Sequence, residues 1–441
     1  MAGRPSKKKT LGVWMNGELV GHWTLTSAVG HSFSYDASWI DKPQRRSLSL
    51  SLPLSQGMHP FTGGVVESYF DNLLPDSTNI RKRLASRFGA DSTQAFQLLE
   101  KIGRDCVGAI QLLPANSPAP EIRRIDAEPL SEEEIERILD DTLSNRNIGV
   151  PMEDELRISI AGAQEKSALL RHDDQWCRPR GTTPTTHILK LPLGEVGGMR
   201  ADFSTSIENE WLCARLVRAY GLPAAECAIE TFGRHKVLVV TRFDRRLLEG
   251  WWARLPQEDF CQAKGLPPGR KYEQDGGPGI ATILDTLRGS DNAESDRTNF
   301  LMAQLVFWML AAPDGHAKNF SIAIEAQDHF RLTPLYDVMS AWPVIGEGPR
   351  EVHWKKVKLA MALHATNTHY RIAEIQRRHW NEVAKANALG PDFEAVIQKL
   401  ITLTPAVIKS VNSELPAKFP GVVSDRIFNG LVGQVKKLEA G

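Results

Sequence analysis

The hydrophobic period of this chain changes near residue 295, and this change limits the folds that it can adopt. Residues 155–245 alternate short apolar runs with turns, as strands do, apart from one helical segment from about Ser204 to Tyr220. Apolar residues recur at helical spacing in the later segments 295–312, 370–389, 391–403, 404–413 and 421–438. A small antiparallel sheet with one inserted helix, followed by a helical region, predicts an α+β protein.

The first quarter of the chain also favours strands. Asn16-Gly17 predicts a hairpin turn, and the strict alternation of residues 47–52 predicts a half-buried strand. Helices are predicted over residues 65–74 and 94–102. The Pro-rich residues 114–120 are typical of a linker, and Ser131 with Glu134 predicts a capping box at the start of a helix. The first domain boundary is therefore expected between about 114 and 150.

Composition excludes several classes of protein. Lys plus Arg and Asp plus Glu both number 53, so the net charge of zero favours no particular partner. The five cysteines are scattered without a C-x-x-C pair, which argues against a disulfide framework or a zinc site and favours a reducing compartment. The longest apolar run, residues 300–312, is too short to span a bilayer. We therefore expect a cytoplasmic protein with no membrane partner.

An acidic motif follows this apolar run directly. Asp314 is followed five residues later by Asn319 and, after another eighteen, by Asp337. Phosphoryl transfer uses such a set, in which the first Asp accepts the proton of the substrate hydroxyl and the other two residues bind Mg²⁺ through oxygen. Residues 300–312 are predicted to form a buried helix, so the motif lies where a core helix gives way to a loop.

Lys190 and Glu210 are candidates to complete this set. Lys190 lies in a strand-like segment, and Glu210 lies twenty residues later in the helical segment. In kinase-like proteins, a strand Lys paired with a helix Glu fixes a cation against the nucleotide phosphates. Taken alone, the two residues fit an exposed lysine and an exposed glutamate better. The downstream acidic set, which appears in the expected order, favours the ion pair.

Three weaker signals flank these residues. Residues 159–166 contain only one glycine, so a plain β-turn is the alternative to a phosphate-binding turn, and Ser159 at its edge is a candidate for phosphorylation. Residues 241–243 form either a hinge that hydrogen-bonds adenine through its backbone or an ordinary charged strand end. His316 is interpreted as a hydrogen-bonding loop residue, because no second His lies at metal-ligand spacing.

Lysine and arginine side chains are concentrated in residues 351–390. Such a segment forms either a contact face for the phosphate backbone of a nucleic acid or a solvated helix face. The residue pattern is compatible with both interpretations.

Strings of residues spread in order over nearly the whole chain resemble the HipA toxin kinases, which are serine/threonine kinases of bacterial type II toxin–antitoxin pairs. The strings are residues 69–76 (YFDNLLPD), 102–105 (IGRD), 157–166 (RISIAGAQEK), 184–190 (PTTHILK), 242–246 (RFDRR), 255–259 (LPQED), 314–319 (DGHAKN) and 336–337 (YD). The resemblance implies a two-lobed fold akin to protein kinases and phosphoinositide kinases, with a β-rich N-terminal lobe and an all-helical C-terminal lobe.

This resemblance assigns a role to each part of the chain. The expected parts are a β-rich subdomain of the N-terminal lobe (1–115), a linker with a capped helix (116–150), the nucleotide-binding part of the N-terminal lobe (151–245) and a helical C-terminal lobe with the catalytic and Mg²⁺-binding loops (246–441). The implied cofactors are ATP and Mg²⁺.

The resemblance also implies the site residues. Asp314 is the expected catalytic base, assisted by Lys190 and Glu210, and Asn319 and Asp337 are the expected Mg²⁺ ligands. The expected nucleotide contacts are Ala161, Gly162, Ala163, Gln164, Glu165, Lys166, Lys190, Thr241, Arg242, Phe243, His316, Lys318, Asn319, Tyr336 and Asp337. Thr241 and Phe243 would hold adenine through the main chain. Ser159 matches the autophosphorylation serine, whose modification silences the family's enzymes.

The implied partners follow from the same family. They are a HipB-like helix-turn-helix antitoxin dimer, operator DNA bound through the antitoxin complex, and glutamyl-tRNA synthetase or another translation protein as substrate. Phosphorylation of that substrate causes growth arrest and persistence, and the toxin also acts as co-repressor. Lys385 matches a position that contacts DNA directly, but Ala388 stands where a second basic residue can occur. A small-molecule kinase of the aminoglycoside type and a catalytically silent co-repressor are the alternatives.

Overall fold

The computed structural model describes residues 8–143, 164–196 and 201–441. The fold is mixed α and β, as the sequence predicts, and the chain divides into two compact units. The first unit comprises Met1–Leu189, Arg242–Lys271 and Ser321–Phe330, and the second comprises Lys190–Thr241, Tyr272–Phe320 and Arg331–Gly441.

The first unit begins with a five-stranded antiparallel sheet. In spatial order its strands are Phe61–Thr62, Gly30–Tyr35, Glu18–Thr26, Lys9–Met15 and Ile110–Pro114. Asn16 and Gly17 have φ angles of 46° and 81°, which the predicted hairpin turn requires, so this prediction is confirmed. The helices Gly64–Asp71, Thr78–Phe88 and Ala95–Ile102 belong to the same module. Trp23 stacks on Phe70 in their common core, with ring centroids 3.9 Å apart.

The remainder of the first unit contains smaller elements. A further sheet has the strand order Ala127–Pro129, Gln175–Pro179, Lys166–His172 and His187–Lys190, of which the first unit includes all residues except Lys190. The other strands are Arg245–Leu248, Trp251–Arg254, Gln257–Asp259 and Ser321–Ile324, and the strand Phe330–Leu332 begins at the last residue of this unit. The other helices are Ala37–Ile40, Glu132–Leu143 and Phe260–Ala263. The predicted capping box is confirmed, because the Glu134 N–H donates to Ser131 Oγ at 3.3 Å and the Ser131 N–H donates to the Glu134 carboxylate at 2.8 Å.

The strand predicted over residues 47–52 is wrong. These residues form turns with only an isolated bridge between Ser49 and Leu52. The serine hydroxyls that produce the alternating pattern bond to backbone groups instead, since Ser49 Oγ and Ser51 Oγ both donate to the carbonyl of Gln262. Serine side chains compete in this way with the hydrogen bonds of a strand ladder.

A buried group of charges lies within the first unit. Asp105 contacts the guanidinium groups of Arg242, Arg245 and Arg254 at 3.4, 2.9 and 3.1 Å, and Asp244 contacts Arg242 at 2.8 Å. We call these five residues the arginine cluster. Burial raises the pKa of Asp105, but the three guanidinium groups outweigh burial and hold that pKa below its ordinary value.

The second unit is mainly helical. Its helices are Ser206–Ala219, Ile280–Thr286, Ala293–Met309, Arg377–Ala386, Glu394–Ser413 and Gly421–Glu439, and its strands are Gly194–Val196, Ala201–Phe203, Cys227–Phe232, His235–Thr241, Lys358–His364 and Thr368–Arg371. The helical character predicted for the end of the chain is confirmed. The expectation of an all-helical lobe is wrong in detail, because Lys358–His364 and Thr368–Arg371 pair as an antiparallel hairpin.

Residues 391–403 and 404–413 form one helix rather than two. The helix Glu394–Ser413 continues through Pro405, although an interior proline typically costs about 3 kcal/mol. Leu400 and Ile401 before the proline and Val407 after it are buried, so the packing of both halves offsets this cost.

Within the ranges that the structure describes, no helix is long and apolar enough to cross a membrane.

Candidate active site

Lys190 lies at the centre of a buried ion group in the second unit. Its Nζ is 2.6 Å from Glu210 Oε1 and 2.8 Å from Asp337 Oδ1. The side chains of Lys190 and Glu210 are only 7% and 6% exposed, whereas that of Asp337 is 27% exposed. We call these three residues the lysine triad. The structure therefore brings the predicted strand lysine, helix glutamate and second aspartate into direct contact.

The triad keeps its lysine charged. Burial lowers the pKa of Lys190, but the Asp337 and Glu210 carboxylates outweigh burial and raise that pKa above its ordinary value. One ammonium group faces two carboxylates, so the triad carries an excess of negative charge. An excess of this sign favours binding of a further cation.

The helix Ser206–Ala219 connects the triad to the loop that carries Asp337. Asn209, which precedes the triad glutamate, is 2% exposed. Its side chain donates to the carbonyl of Ser340 at 2.7 Å and accepts the N–H of Ser340 at 2.8 Å. Two bonds from one amide to one residue fix both position and orientation. No sequence motif predicts a role for Asn209 or Ser340.

Asp337 itself has an unusual backbone conformation. Its φ is 59°, in the left-handed region that few residues other than glycine occupy. Three residues later, Ser340 Oγ donates to the carbonyl of Leu310 at 2.5 Å, and the Ala341 N–H donates to the carbonyl of Ala311 at 2.9 Å. These bonds join the Asp337 loop to the chain just before Asp314, and strained residues held in this way cluster at functional sites.

Two side-chain hydrogen bonds to backbone carbonyls hold the Asp314 loop in place. The Asn319 side-chain amide donates to the carbonyl of Asp314 at 2.7 Å, and Tyr336 Oη donates to the carbonyl of Lys318 at 2.9 Å. A Cβ atom on Gly315 would lie 2.5 Å from the Phe307 ring, so only glycine fits there. The carboxylate of Asp314 remains 41% exposed at the end of this rigid loop.

Two aromatic residues border the carboxylate of Asp314. His316 is 4% exposed, and its Nε2 lies 3.7 Å from Asp314 Oδ1. Tyr272 Oη donates to the same oxygen at 2.5 Å, and the Tyr272 ring meets the His316 ring edge-on with centroids 5.0 Å apart. The sequence contains no motif that could have identified Tyr272, which lies 42 residues before its partner.

The predicted metal ligands fit Mg²⁺ by their chemistry. Because the Asn319 amide nitrogen donates to the backbone, the amide oxygen is the atom available to a hard cation. Asp337 supplies a carboxylate. In the described ranges no group of three or more His, Cys, Asp or Glu is arranged to hold a metal, so phosphate oxygens and water would have to complete the shell.

The other predicted nucleotide contacts lie in several settings. Ser159, Ala161, Gly162 and Ala163 lie outside the described residues. Gln164 is buried, Glu165 pairs with Arg83, and Lys166 begins the strand Lys166–His172. Gln164, Glu165, Lys166 and the 242–243 segment belong to the first unit, whereas the second unit contains Lys190, Thr241, His316, Lys318, Asn319, Tyr336 and Asp337.

Arg242 has a structural contact that the sequence did not indicate. Its guanidinium belongs to the arginine cluster and is 2% exposed, so only its main chain remains for a ligand. The Arg242 N–H already donates to the carbonyl of Thr186 at 2.9 Å. Lys385, the candidate DNA contact, is exposed on the helix Arg377–Ala386.

A buried Lys–Glu–Asp group and an Asp-x-x-x-x-N loop on a mixed α and β scaffold define the class of kinase-like folds. The chain superposes on a solved HipA chain from Shewanella oneidensis MR-1, from a complex of the toxin–antitoxin system HipA, HipB and its operator DNA, with a TM-score of 0.77 and 22% identity. The match covers 98% of this chain and 97% of the other, and it establishes the shared fold.

Family models match both parts of the chain. Residues 158–408 match the HipA-like C-terminal domain, and residues 11–113 match the HipA N-terminal domain. The chain therefore belongs to the HipA family. It is 30% identical to the serine/threonine-protein kinase toxin HipA of Shewanella oneidensis over 75% of this chain and 74% of that protein. It is also 33% identical to Y4mE of Sinorhizobium fredii, named as a candidate kinase, over 91% and 92% of the two chains.

Proposed function

We propose that this chain is an ATP- and Mg²⁺-dependent serine/threonine protein kinase and the toxin of a toxin–antitoxin pair. The observation that carries this proposal is the position of Lys190, held at 2.6 and 2.8 Å between Glu210 and Asp337. Kinases need a lysine aligned by a glutamate beside a metal-binding aspartate in order to place the nucleotide phosphates. The relative from Shewanella oneidensis is named as a kinase toxin, which supports the same proposal.

The predicted site residues divide the reaction among them. Asp314 accepts the proton of the attacking serine hydroxyl, and Lys190 pairs with phosphate oxygens. The bond between the serine oxygen and the γ-phosphorus forms, the bond between that phosphorus and ADP breaks, and ADP leaves. Asn319 and Asp337 would hold Mg²⁺, which neutralises charge on the phosphates. Thr241 and Phe243 would bind adenine through the main chain.

The regulation and partners of the family belong to the same proposal. We expect autophosphorylation on Ser159 to silence the enzyme, since a phosphate adds roughly two negative charges beside the expected ATP site. The expected substrate is glutamyl-tRNA synthetase or another translation protein in the cytoplasm. The expected partner is a HipB-like antitoxin dimer on operator DNA, with the toxin as co-repressor and Lys385 as a candidate DNA contact. The HipA, HipB and operator DNA complex of the fold relative supports this assembly.

Labelling with γ-labelled ATP and Mg²⁺ tests the enzymatic part. After phosphatase treatment, the purified protein is expected to incorporate label on Ser159. Ser159→Ala should remove the acceptor, and Asp314→Gln should lower the rate by at least about 100-fold, because a general base typically contributes that much. Label transfer to an aminoglycoside but to no protein would contradict the toxin reading. No transfer at all would favour a silent co-repressor.

Expression of the same proteins tests the toxin part. The wild type alone is expected to arrest growth, whereas Asp314→Gln is expected to be harmless. Equal toxicity of the two proteins would separate growth arrest from phosphoryl transfer.

A further inference from the structure

The closest side-chain contact to the proposed base comes from a residue outside every predicted motif. Tyr272 Oη donates to Asp314 Oδ1 at 2.5 Å, and its ring packs edge-on against His316. The ring contact fixes the plane of the phenol, and the hydrogen bond then fixes one oxygen of the carboxylate. Tyr272 therefore contacts the Asp314 loop through two different kinds of interaction.

A tight turn holds Tyr272 in this position. The Gly276 N–H donates to the carbonyl of Glu273, and the Gly277 N–H donates to the carbonyl of Tyr272, both at 3.0 Å. Gly276 has a φ of 86°, a conformation that glycine adopts without steric cost. The two bonds close the chain directly behind the tyrosine, so its backbone has little freedom to move.

Glu273 fastens this turn to the hairpin that begins with the strand Lys358–His364. One carboxylate oxygen accepts the N–H of Ala362 at 2.5 Å, and the other contacts His364 Nε2 at 2.6 Å. A Cβ atom on Gly279 would lie 2.1 Å from this carboxylate, so a larger residue there would displace it. The hairpin, the glutamate and the turn therefore form one continuous support for Tyr272.

The phenol leaves the base accessible on its other side. The side chain of Asp314 is 41% exposed, although Oδ1 is engaged by Tyr272. A hydrogen bond to a charged carboxylate is stronger than one between neutral groups, and it restricts rotation of the carboxylate. The second oxygen is then presented in one orientation, which a base must have to accept a proton in the transition state.

We infer that Tyr272 is a positioning residue for the proposed base Asp314, and that Glu273 supports it. The inference rests on the proposed kinase function. The proposed role of Tyr272 is to orient one carboxylate and requires no contact with the nucleotide or with the transferred phosphoryl group. Its loss is therefore expected to slow the transfer step and to leave nucleotide binding intact.

Tyr272→Phe isolates the hydroxyl, because the ring that packs against His316 is kept. We expect the maximum rate of Ser159 labelling at saturating ATP to fall about tenfold, a part of the roughly 10²–10⁴-fold effect of a general base. The ATP concentration at half-maximal rate and the thermal unfolding midpoint should stay near the wild-type values. Tyr220→Phe, which removes the phenol hydroxyl that hydrogen-bonds to Thr404 Oγ1 at 2.8 Å in the same unit, is the matched control and should label at the wild-type rate.

The outcomes separate this inference from the function on which it rests. Labelling of the wild type but an unchanged rate in Tyr272→Phe would overturn the positioning role alone. A faster rate in Tyr272→Phe would also overturn it, because the phenol would then be a competitor of the substrate hydroxyl. Absence of labelling in the wild type would remove the proposed function, and the inference with it.

Glu273→Ala provides a second variant. If Glu273 acts through Tyr272, this substitution should slow labelling in the wild-type background and add little in the Tyr272→Phe background, since residues that act as a unit are not additive. Fully additive effects would show that Glu273 supports the site by another route and would overturn its part in the inference.

Discussion

Each of the two units buries a group of charged side chains. The two groups differ in the sign of their net charge and in how far their side chains are exposed to solvent. The arginine cluster of the first unit sets three guanidinium groups against two carboxylates, and each of its side chains is at most 8% exposed. The lysine triad of the second unit sets one ammonium against two carboxylates and leaves Asp337 27% exposed.

This difference fits a structural role for the arginine cluster and the proposed phosphate- and metal-binding role for the lysine triad. The arginines also donate to backbone carbonyls, as Arg242 and Arg245 do to Cys106 at 2.8 and 2.9 Å, so their hydrogen-bonding capacity is used within the first unit. Removing one member of such a buried group leaves an uncompensated charge, which strongly destabilises the folded state. The carboxylate of Asp337 in the triad is partly exposed to solvent, which suits the proposed contact with a cation. Perturbed charges alone do not identify an active site, whereas an open and unbalanced group is a stronger indicator.

The largest expected effect comes from neutralising Asp337, the most exposed residue of the lysine triad. Asp337→Asn should lower the rate of Ser159 labelling by about 10²–10³-fold, because a preorganised charge at the transferring phosphoryl group is lost. The free energy of unfolding should not fall, since Lys190 keeps Glu210 as its partner and asparagine tolerates the left-handed backbone. Labelling assays and urea unfolding measure the two quantities. A rate within tenfold of the wild type would remove Asp337 from the proposed metal site.

The arginine cluster is expected to behave in the opposite way, because a substitution there should lower stability and leave the labelling rate unchanged. In Asp105→Asn, three guanidinium groups face only Asp244, so the free energy of unfolding should fall by about 3 kcal/mol, as it does when a buried ion pair loses one partner. Folded protein should still label Ser159 near the wild-type rate. Urea unfolding checks the first result.

Asp91→Asn is the matched control in the same unit. Asp91 pairs with Lys9 at 3.3 Å, but its side chain is 77% exposed, so its loss should change stability by no more than about 0.5 kcal/mol. Equal changes in the free energy of unfolding for Asp105→Asn and Asp91→Asn would show that the arginine cluster does not stabilise the first unit.

A pH-dependent effect on stability is expected from Glu258, a buried carboxyl outside the arginine cluster. Glu258 is fully buried and accepts the Leu50 N–H at 2.8 Å, and burial raises the pKa of Glu258 from 4.5 to about 8. The folded state therefore favours the neutral form. The contribution of Glu258 to stability is greatest below pH 4.5, falls as pH rises from there to about 8, and is constant above.

Glu258→Gln removes this titration and keeps an acceptor for Leu50. The variant should match the wild type below pH 4.5, gain on it as pH rises, and exceed its free energy of unfolding by a constant amount above pH 8. Urea unfolding of both proteins across this range measures the difference. A difference that does not vary with pH would contradict the assignment of a raised pKa to Glu258.

The sequence predicted the parts of the site that depend on short spacing. Asp314 and Asn319 lie on one loop, so their relation is visible as a motif, and Lys190 and Glu210 are visible as a strand residue and a helix residue. Residues 255–259 offered no role until the structure placed Glu258 in the core and Asp259 at the start of the helix Phe260–Ala263, where it forms a capping box.

Contacts between distant residues could not be predicted. Asn209 and Ser340 are 131 residues apart, and Asp105 and Arg242 are 137 apart. Hydrogen bonds of this kind depend on which polar groups packing brings together, and no local period records them. The strand predicted over residues 47–52 is wrong for the same reason. The carbonyl that accepts hydrogen bonds from Ser49 and Ser51 belongs to the distant residue Gln262.

Under the proposed metal-binding role, the left-handed backbone of Asp337 sets thermal stability against activity at a single residue. A glycine there would relieve a conformation that costs other residues roughly 1–2 kcal/mol, but it would carry no metal ligand. A library of variants selected only for survival of heating should therefore be enriched in Asp337→Gly. A library selected for growth arrest should retain the aspartate.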